Sequence, residues 1–248
     1  MRAIAVIQAR LASSRLYGKV LHPIAGRPLL EVLRRRLDAA RVDEVWLATT
    51  QQRSDDLIVE WARALGMRVH RGSEEDVLSR FTAIARETRA EWIVRLTADD
   101  PFTDADIVNR MLAQIAESAQ EHMLFSGYRQ GGGLPLGYAP GIVRADALLE
   151  AEAKIGPGQD FHRAHVTSWV AENHGRQFFD IPAEWPLRPN WRWTVDTAED
   201  ARMAQAAFAA LGDRWREARY VEMVDVLDRS PQISALNSTV QQKSLQEG

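Results

Sequence analysis

Short apolar runs alternate with amphipathic segments of helical period through the first half of the chain, and few folds accommodate such a pattern. The apolar runs predict four strands: Ala3 to Gln8, Glu44 to Thr49, Met67 to His70 and Glu91 to Leu96. The amphipathic segments predict four helices: Pro28 to Ala40, Ser54 to Gly66 with Ser54 as its cap, Ser73 to Thr88 and Asp104 to Ser118. Strands that alternate with helices are typical of the α/β class, with a mainly parallel central sheet and helices on both faces.

The pattern changes after residue 126. The segment 126–145 contains a glycine triplet and two prolines, which indicates a flexible loop or hairpin inserted into the α/β core. The rest of the chain predicts two helices, two strands and two more helices, in that order: about 145–154, 163–174, Gln177 to Ile181, Trp191 to Val195, Ala198 to Leu211 and 219–228. We therefore expect one domain over 1–229 with an insertion at about 126–190. The polar tail 230–248 lacks periodicity, so it either packs over the domain or is disordered.

Composition excludes several classes of protein and site. The chain of 248 residues has no cysteine, which excludes disulfides, thiolate metal sites and a cysteine nucleophile. Its formal net charge of −3 lacks the basic excess of a dedicated nucleic-acid-binding protein. No apolar run approaches the roughly 18 residues that a membrane-spanning helix needs, so we expect a cytoplasmic protein with no membrane association.

Three cations follow the first predicted strand within ten residues: Arg10, Arg15 and Lys19. Parallel sheets bind ligands at the carboxyl ends of their strands, so this loop is a candidate binding site. Small residues separate the cations: Ala12, Ser13, Ser14 and Gly18. Such residues let backbone N–H groups approach an anion, although the loop lacks the G-x-x-x-x-G-K-[ST] and G-x-G-x-x-G patterns. The residues alone leave two interpretations open, a polyphosphate site and a solvated arginine-rich loop.

Two other predicted strand ends carry aspartates. Asp99 follows the strand that ends at Leu96, and Asp196 follows the segment that ends at Val195. Two carboxylates beside a basic loop could hold Mg²⁺, which binds one or two protein carboxylates together with phosphate oxygens and water. An Asp-Pro turn after Asp99 and a helix cap at Asp196 or Thr197 would explain the same residues without a metal. The combination of all three loops predicts metal-assisted phosphoryl or nucleotidyl transfer.

The stretch "DFHRAHVTSW" places His162, Arg163 and His165 on a predicted helix. These side chains suit an acidic substrate or a metal, but a histidine pair near a helix start is also a common surface feature. The tryptophans Trp185, Trp191 and Trp193 are predicted to fill the core or subunit contacts rather than to stack on a base.

The opening stretch "AVIQARLASSRLYGKVLHPIAGRPLLEVLRRRL" resembles the signature A-R-x-x-S-x-R-L-P-G-K-x-L of cytidylyltransferases that make CMP-activated acidic sugars. These enzymes include CMP-Kdo synthetases, CMP-sialic and CMP-pseudaminic acid synthetases, and a spore-coat polysaccharide branch that the chain resembles most. Four later stretches are similar to motifs of that branch: "HRGSEEDVLSRF", "VRLTADDPF", "RAHVTSWV" and "WTVDTAED". With "VLDRSPQISALN" near the end, the resemblance covers almost the whole chain.

The resemblance implies a Rossmann-like nucleotide-diphospho-sugar transferase fold, a homodimer joined through the inserted hairpin and helix region, and Mg²⁺ as cofactor. It further implies that a sugar hydroxyl attacks the α-phosphorus of CTP, with pyrophosphate leaving and no covalent enzyme intermediate. The catalytic residues would be Lys19, Arg10, Arg15 and Asp99, and the metal ligands Asp99 and Asp196. The nucleotide-binding residues would be Ile7, through the backbone that follows it, and Ala9, Arg10, Ser13, Arg15, Lys19, Ser73, Asp76, Arg80 and Thr97. The acceptor-binding residues would be Tyr138, Arg163, His165 and Thr167.

Departures from the family motifs concern the acceptor more than the nucleotide. Where the branch has acidic residues, this chain has Leu136, Ala139, Gly141 and Ala164, and Tyr17 replaces a proline of the opening signature. The acceptor is therefore left open as an acidic sugar or a smaller hydroxylated acid. Two other functions are compatible with the same residues. One is a metal-dependent glycosyltransferase of this fold, although "ADDP" lacks the usual D-x-D spacing, and the other is a catalytically inactive nucleotide-binding homologue.

Overall fold

A seven-stranded sheet forms the centre of the computed structural model, which describes residues 1–13, 15–118, 123–129 and 131–242. The strands along the chain are β1 (Ala3–Gln8), β2 (Pro23–Ile24), β3 (Arg27–Pro28), β4 (Glu44–Thr50), β5 (Arg68–Gly72), β6 (Trp92–Thr97), β7 (Leu124–Ser126), β8 (Gly141–Arg144) and β9 (Gln177–Phe178). The sheet order is β5-β4-β1-β6-β8-β7-β9, and β2 and β3 form a separate antiparallel pair. Four of the six neighbouring pairs are parallel, while β8 is antiparallel to both β6 and β7. The predicted α/β fold with a mainly parallel sheet is confirmed.

Helices connect the strands and cover both faces of the sheet. They are α1 (Leu29–Arg36), α2 (Asp56–Ala64), α3 (Val77–Thr88), α4 (Ala105–Glu117), α5 (Ala145–Lys154), α6 (Asp160–Ala164), α7 (Ser168–Asn173), α8 (Ala198–Leu211), α9 (Tyr220–Asp228) and α10 (Pro231–Ser234). Short 3₁₀ helices lie at Lys19–Leu21, Arg53–Asp55, Gly212–Arg216 and Ala235–Asn237. Alternate residues of β1 belong to two apolar clusters, with Ala5 and Ile7 in one and Ile4 and Val6 in the other. Both faces of the sheet are therefore buried, as expected for parallel strands.

The prediction of a strand at Trp191 to Val195 is wrong. This segment runs beside the inserted loop, where Leu136 N–H donates to the Trp191 carbonyl (3.0 Å) and Trp193 N–H donates to the Leu136 carbonyl (2.7 Å). An isolated bridge between Leu136 and Arg192 is the result. The apolar alternation that suggests a strand arises because Trp193 and Val195 are buried in the core, not because the backbone joins the sheet.

Two helix predictions need correction. Ser54 does not cap α2, and the neighbouring Asp55 carboxylate accepts hydrogen bonds from Leu11 N–H (2.8 Å) and from β4 instead of capping the helix. The predicted helix at 163–174 is two helices, α6 and α7, because Val166 between them has a φ of 50°. A β-branched residue in the left-handed region cannot continue an α-helix.

Gly137 brings the inserted loop against the loop that follows β6. Its φ is +85°, and a Cβ atom built there would lie 2.6 Å from the backbone nitrogen of Thr194 and 2.7 Å from a carboxylate oxygen of Asp100. Both distances are shorter than real Cβ contacts, so glycine is required at this point. The position of the insertion is thereby tied to that of Asp100.

The C-terminal segment packs over the domain as far as the structure describes it. α10 and the 3₁₀ helix after it contact α8, Ile233 is buried, and Asn237 Nδ2 donates to the Arg192 carbonyl (2.9 Å). Of the two expectations for the tail, packing holds for residues 230–242, and residues 243–248 lie outside the described residues. Across the described ranges, no helix is both long and apolar enough to cross a membrane.

Candidate active site

A cavity of about 390 Å³ opens at the carboxyl ends of β1 and β6. Its walls come from the loop after β1, the residues around the start of α3, the loop after β6, the end of α6 and Asp196. The three cations of the predicted polyphosphate loop, Arg10, Arg15 and Lys19, all line the cavity together with Asp99 and Asp196. The structure therefore brings the three candidate loops into one site, at the edge where parallel sheets bind ligands.

The Lys19 ammonium lies at the centre of this charge cluster. The residue begins a 3₁₀ helix directly after Gly18, which has a φ of 69°. Its Nζ donates to Asp99 Oδ2 (2.5 Å) and to Asp196 Oδ1 (2.7 Å), and 14% of the side chain is exposed. Burial alone would lower the pKa of Lys19, but the two carboxylates outweigh burial and the net shift is upward. The ammonium therefore stays charged and holds the two aspartates together.

Asp196 contacts cations through both carboxylate oxygens. Lys19 binds Oδ1, and Arg15 Nη2 lies 2.9 Å from Oδ2. Burial would raise the pKa of this carboxyl, but the neighbouring cations outweigh burial and lower the pKa. Asp196 is therefore ionised over the whole physiological range of pH.

The two aspartates fit a divalent cation that uses few protein ligands. Both carboxylates contact one ammonium nitrogen, so their oxygens lie close together on one side of the cavity. Among the residues that the structure describes, no group of three or more His, Asp or Glu side chains is arranged to hold a metal. Such a donor set differs from a closed protein cage and suits a hard divalent cation that completes its shell with phosphate oxygens and water.

Asp100 differs from its neighbour Asp99, which the sequence does not distinguish. It does not line the cavity, its Oδ2 accepts a hydrogen bond from Thr97 Oγ1 (2.6 Å), and Gly137 lies against its Oδ1. Burial, with the adjacent charge of Asp99, raises the pKa of Asp100 to about 8. Burial therefore favours the protonated form of Asp100, and Asp99 is the member of the pair that lines the cavity.

Two arginines line the same cavity with unpaired donor atoms. Arg80 in α3 is 1% exposed, and its Nε and Nη1 have no hydrogen-bond partner among the described residues. Burial and the charge of Arg10 lower the pKa of Arg80 to about 10. Arg95 in β6 donates from Nη2 to Gln8 Oε1 (3.3 Å), while its buried Nε lacks a partner in the described part of the chain. Unpaired buried donors on a cavity wall fit an anionic or carbonyl-bearing ligand.

The other predicted nucleotide-binding residues divide into two groups. Three of them line the cavity: Ala9, Ser13 and Thr97. The Ile7 side chain is fully buried in the core, and Ser73 Oγ accepts a hydrogen bond from Asp76 N–H (3.1 Å) outside the cavity wall. Asp76 caps α3 by accepting from Ser79 N–H (2.9 Å). Ser14 lies outside the described residues.

One of the four predicted acceptor-binding residues, His165, lines the cavity. Arg163 does not, and its Nη1 donates to Asp76 Oδ2 (2.9 Å). Tyr138 is fully buried and donates its hydroxyl proton to Asp104 Oδ2 (3.1 Å). Thr167 directly precedes α7, away from the cavity wall. A fully buried Tyr138 contacts no ligand in this arrangement, and its aromatic ring belongs to the core.

Several residues that line the cavity are not predicted from the sequence: Glu74, Glu75 and Arg95. A signal exists for Arg95, because a charged residue inside an apolar strand is rarely buried without a partner or a function. Glu74, which pairs with Arg10 Nη1 (3.0 Å), sits in a polar turn with no comparable signal. His162 is buried with its Nδ1 2.8 Å from Ser168 Oγ, so this histidine belongs to the packing of α6 on α7.

The chain is similar to known proteins in sequence and in fold. Residues 4–173 match the family model described as cytidylyltransferase. The spore coat polysaccharide biosynthesis protein SpsF of Bacillus subtilis is 31% identical over 235 residues, which cover 91% of this chain and 94% of that protein. The 3-deoxy-manno-octulosonate cytidylyltransferase of Xanthomonas campestris is 31% identical over 186 residues, 71% of this chain and 73% of that protein. The solved structure of a cytidylyltransferase from Leptospira borgpetersenii superposes with a TM-score of 0.85 at 27% identity, covering 98% of this chain and 99% of that one.

Proposed function

The chain belongs to the cytidylyltransferase family, and on that basis we propose that it transfers CMP from CTP to a hydroxyl group of an acidic sugar or related hydroxy acid, with release of pyrophosphate. The observation that supports this most directly is the contact of Lys19 with both Asp99 and Asp196, in a cavity that Arg10 and Arg15 also line. Three cations suit a triphosphate, and two carboxylates suit the divalent cation that accompanies it.

In the proposed reaction, an acceptor hydroxyl oxygen forms a bond to the α-phosphorus of CTP. The bond from that phosphorus to the oxygen bridging the β-phosphate breaks, its electron pair leaves with pyrophosphate, and the hydroxyl proton passes to water. Such a transfer depends on positioning and on stabilisation of charge. Lys19, Arg15 and Arg10 provide fixed positive charge for the triphosphate and for the charge that develops on the leaving pyrophosphate.

We propose Asp99 and Asp196 as the protein ligands of Mg²⁺. When bound, the ion would neutralise phosphate charge and lower the pKa of the attacking hydroxyl. The chain contributes two carboxylates that converge on one point, and the cations around Asp196 keep that carboxyl ionised by lowering its pKa.

We also propose that Arg80, Thr97 and the backbone after Ile7 bind the nucleoside part of CTP, with His165 facing the acceptor. The unpaired donors of Arg80 support this assignment, since a ligand in the cavity would provide the partners that the protein does not. Arg163 would act indirectly, because it binds Asp76 at the start of α3, the helix that contains Arg80.

A panel of acceptors read by ³¹P NMR tests the proposal. Each of the four nucleoside triphosphates is incubated with Mg²⁺ and candidate sugar acids and hydroxy acids. We expect a CMP ester and pyrophosphate to appear in equal amounts from CTP. Transfer from a nucleotide-sugar without pyrophosphate would instead identify a glycosyltransferase. Tight CTP binding without turnover over the whole panel would identify an inactive homologue.

Ala164 provides a test of the acceptor class, because its small side chain lines the cavity without adding charge to it. We expect Ala164→Glu to lower kcat/KM for a carboxylate-bearing acceptor about fivefold relative to Ala164→Gln, since a like charge at close range in a partly screened cavity costs on the order of 1 kcal/mol. The glutamine variant has the same shape without the charge. Steady-state kinetics with an acidic acceptor and its neutral amide measure the effect. Equal losses for the two variants, or for the two acceptors, would contradict an acidic acceptor.

We propose further that the protein is a homodimer joined through the insertion and that it works in the cytoplasm, where CTP is available. Large apolar side chains in the insertion support such an interface, with Phe161 37% and Leu187 55% exposed.

We expect Leu187→Glu to produce monomers in sedimentation equilibrium, because an apolar interface does not accommodate an unpaired charge. Leu57→Glu is the control, since Leu57 is 51% exposed on α2, outside the insertion. A monomeric wild-type protein, or dissociation by both variants, would contradict the proposal.

A further inference from the structure

Arg192 contacts Asp196 from outside the catalytic cavity. Its side chain is 7% exposed and does not line the cavity. All three guanidinium nitrogens have partners: Nη2 donates to Asp196 Oδ2 (2.6 Å), Nε donates to Asp200 Oδ1 (2.9 Å), and Nη1 donates to Gln242 Oε1. Arg192 therefore links the proposed metal ligand Asp196 to two residues that have no contact with the cavity.

Asp200 holds the backbone of the same aspartate. It is completely buried, and its Oδ2 accepts hydrogen bonds from the backbone N–H groups of Asp196 and Thr197, both at 3.0 Å. Its Oδ1 accepts from Arg192. Asp196 is thus fixed twice, at its carboxylate by Arg192 and at its backbone by Asp200, which Arg192 also binds.

The C-terminal segment completes this arrangement. Asn237, 4% exposed, donates from Nδ2 to Asp200 Oδ1 (2.9 Å) and to the Arg192 carbonyl (2.9 Å). Gln242 then binds the Arg192 guanidinium itself. Two residues near the end of the described chain therefore contact Arg192, one at its carbonyl and one at its guanidinium.

We propose that Arg192 is a positioning residue that keeps the Asp196 carboxylate against Lys19, and that Asn237 and Gln242 keep Arg192 in place. Asp196 has one other partner on Oδ2, Arg15, which lies in the more exposed opening loop. Without Arg192, Arg15 would be the remaining cation on Oδ2, and the carboxylate would be held less firmly against Lys19 Nζ. A planar guanidinium can bind two carboxylates in fixed directions, which a shorter amide or an ammonium cannot.

The catalytic part of this inference rests on the proposed function. We expect Arg192→Gln to lower kcat about 10- to 100-fold, the usual effect of removing a group that orients a metal ligand. The KM for CTP should change much less, because Arg192 does not line the cavity. Arg188→Gln is the control, since Arg188 belongs to the same segment but pairs with Asp228 at the surface. A loss confined to KM would show that Arg192 acts on nucleotide binding instead.

A second readout needs no substrate. The chain contains three lysines, Lys19, Lys154 and Lys243, so protein labelled with ¹³C-lysine gives three side-chain Cε signals that single substitutions assign. We expect Arg192→Gln to shift the Lys19 signal and to leave the Lys154 signal in place. In an Asp196→Asn background, Arg192→Gln should cause no further shift, because the two side chains act through one contact.

Gln242→Ala keeps the test decisive if Arg192→Gln does not fold. Gln242 is exposed, and its replacement should shift the Lys19 signal in the same direction by a smaller amount and lower kcat by a smaller factor. An unchanged Lys19 signal in the Gln242 variant would refute the role of the C-terminal segment.

If the wild-type protein turns over no CTP, the proposed function fails while the NMR test still stands. If the wild-type protein is active and Arg192→Gln changes neither kcat nor the Lys19 signal, the positioning role fails alone.

Discussion

Lys19→Ala is expected to lower kcat for pyrophosphate release from CTP by about 10²-fold or more, the effect of removing one preorganised charge-stabilising group. The Lys19 ammonium is largely buried and contacts Asp99 and Asp196 at hydrogen-bond distance. Its removal takes a fixed cation from the proposed triphosphate site and leaves the carboxylates of Asp99 and Asp196 without the charge between them. Because the substitution deletes a group that we propose to act on the leaving pyrophosphate, kcat should fall more than the affinity for CTP.

Lys154→Ala is the matched control for this result. Lys154 is the other lysine in the described residues, its side chain is 61% exposed, and Nζ donates to Glu150 Oε1 (2.6 Å) one helical turn away. An exposed pair of this kind has little effect on stability. Coupled detection of pyrophosphate at saturating CTP measures both variants. Similar rates for Lys19→Ala and the wild type would exclude Lys19 from the chemistry.

Asp99→Asn is expected to lower kcat by about 10²-fold, because an amide neither supplies the negative charge that a divalent cation requires nor balances Lys19. The loss should be partly relieved at high Mg²⁺ concentration, since Asp196 still offers a carboxylate to the same point. Pyrophosphate release measured over a series of Mg²⁺ concentrations checks both expectations. Unchanged release with every acceptor would rule out Asp99 as a ligand of the metal.

Asp100→Asn is the control at the neighbouring residue. We expect it to change the pH dependence of stability rather than kcat. Burial and the charge of Asp99 raise the pKa of Asp100 from 3.8 to about 8, so the folded protein keeps a proton that the unfolded chain releases. Stability from the protonated form is complete below pH 3.8 and is lost as the pH rises towards 8. Asparagine keeps the hydrogen bond with Thr97 but does not titrate.

We therefore expect Asp100→Asn to retain most of the activity and to flatten the fall in stability between pH 4 and 8. Urea unfolding of metal-free protein, measured at several pH values, gives the free energy of unfolding for both forms. A variant with the same pH dependence as the wild type would mean that Asp100 is ionised in the fold. Loss of activity as large as that of Asp99→Asn would mean that both carboxylates act in the site.

The parallel half of the sheet is predictable because its signals are local. β1 has the predicted bounds Ala3–Gln8, and α8 has the predicted bounds Ala198–Leu211, where a capping box formed by Thr197 and Asp200 marks the start. The strand prediction for the segment 191–195 is wrong because the apolar alternation there reflects burial alone. The inserted loop, not a neighbouring strand, provides its backbone hydrogen-bond partners.

The meeting of charged residues from distant parts of the chain in one site is predictable for a different reason. Lys19 and Asp99 are 80 residues apart, yet strand-end loops of a parallel sheet converge at one edge, so the positions of β1 and β6 predict that they meet. Asp196 reaches the same site from the segment 191–195, which is not in the sheet, so strand positions do not account for it. The strand positions do not predict the direction in which each side chain points. Which member of the Asp99 and Asp100 pair faces the cavity depends on the turn after β6 and on the approach of Gly137. Likewise, nothing local indicates that Tyr138 points into the core.

Gly137 limits which insertions can be exchanged between related proteins by recombination to change the acceptor. A transplanted insertion with any side chain at this position would collide with the backbone of Thr194 and with the Asp100 carboxylate. The displacement would reach Asp99 through the peptide that joins the two aspartates, so such a chimera would also disturb the residue that we propose as a metal ligand. Crossovers that take residues 100, 137 and 194 from one parent avoid this incompatibility, and they set the smallest block that can be exchanged as a unit.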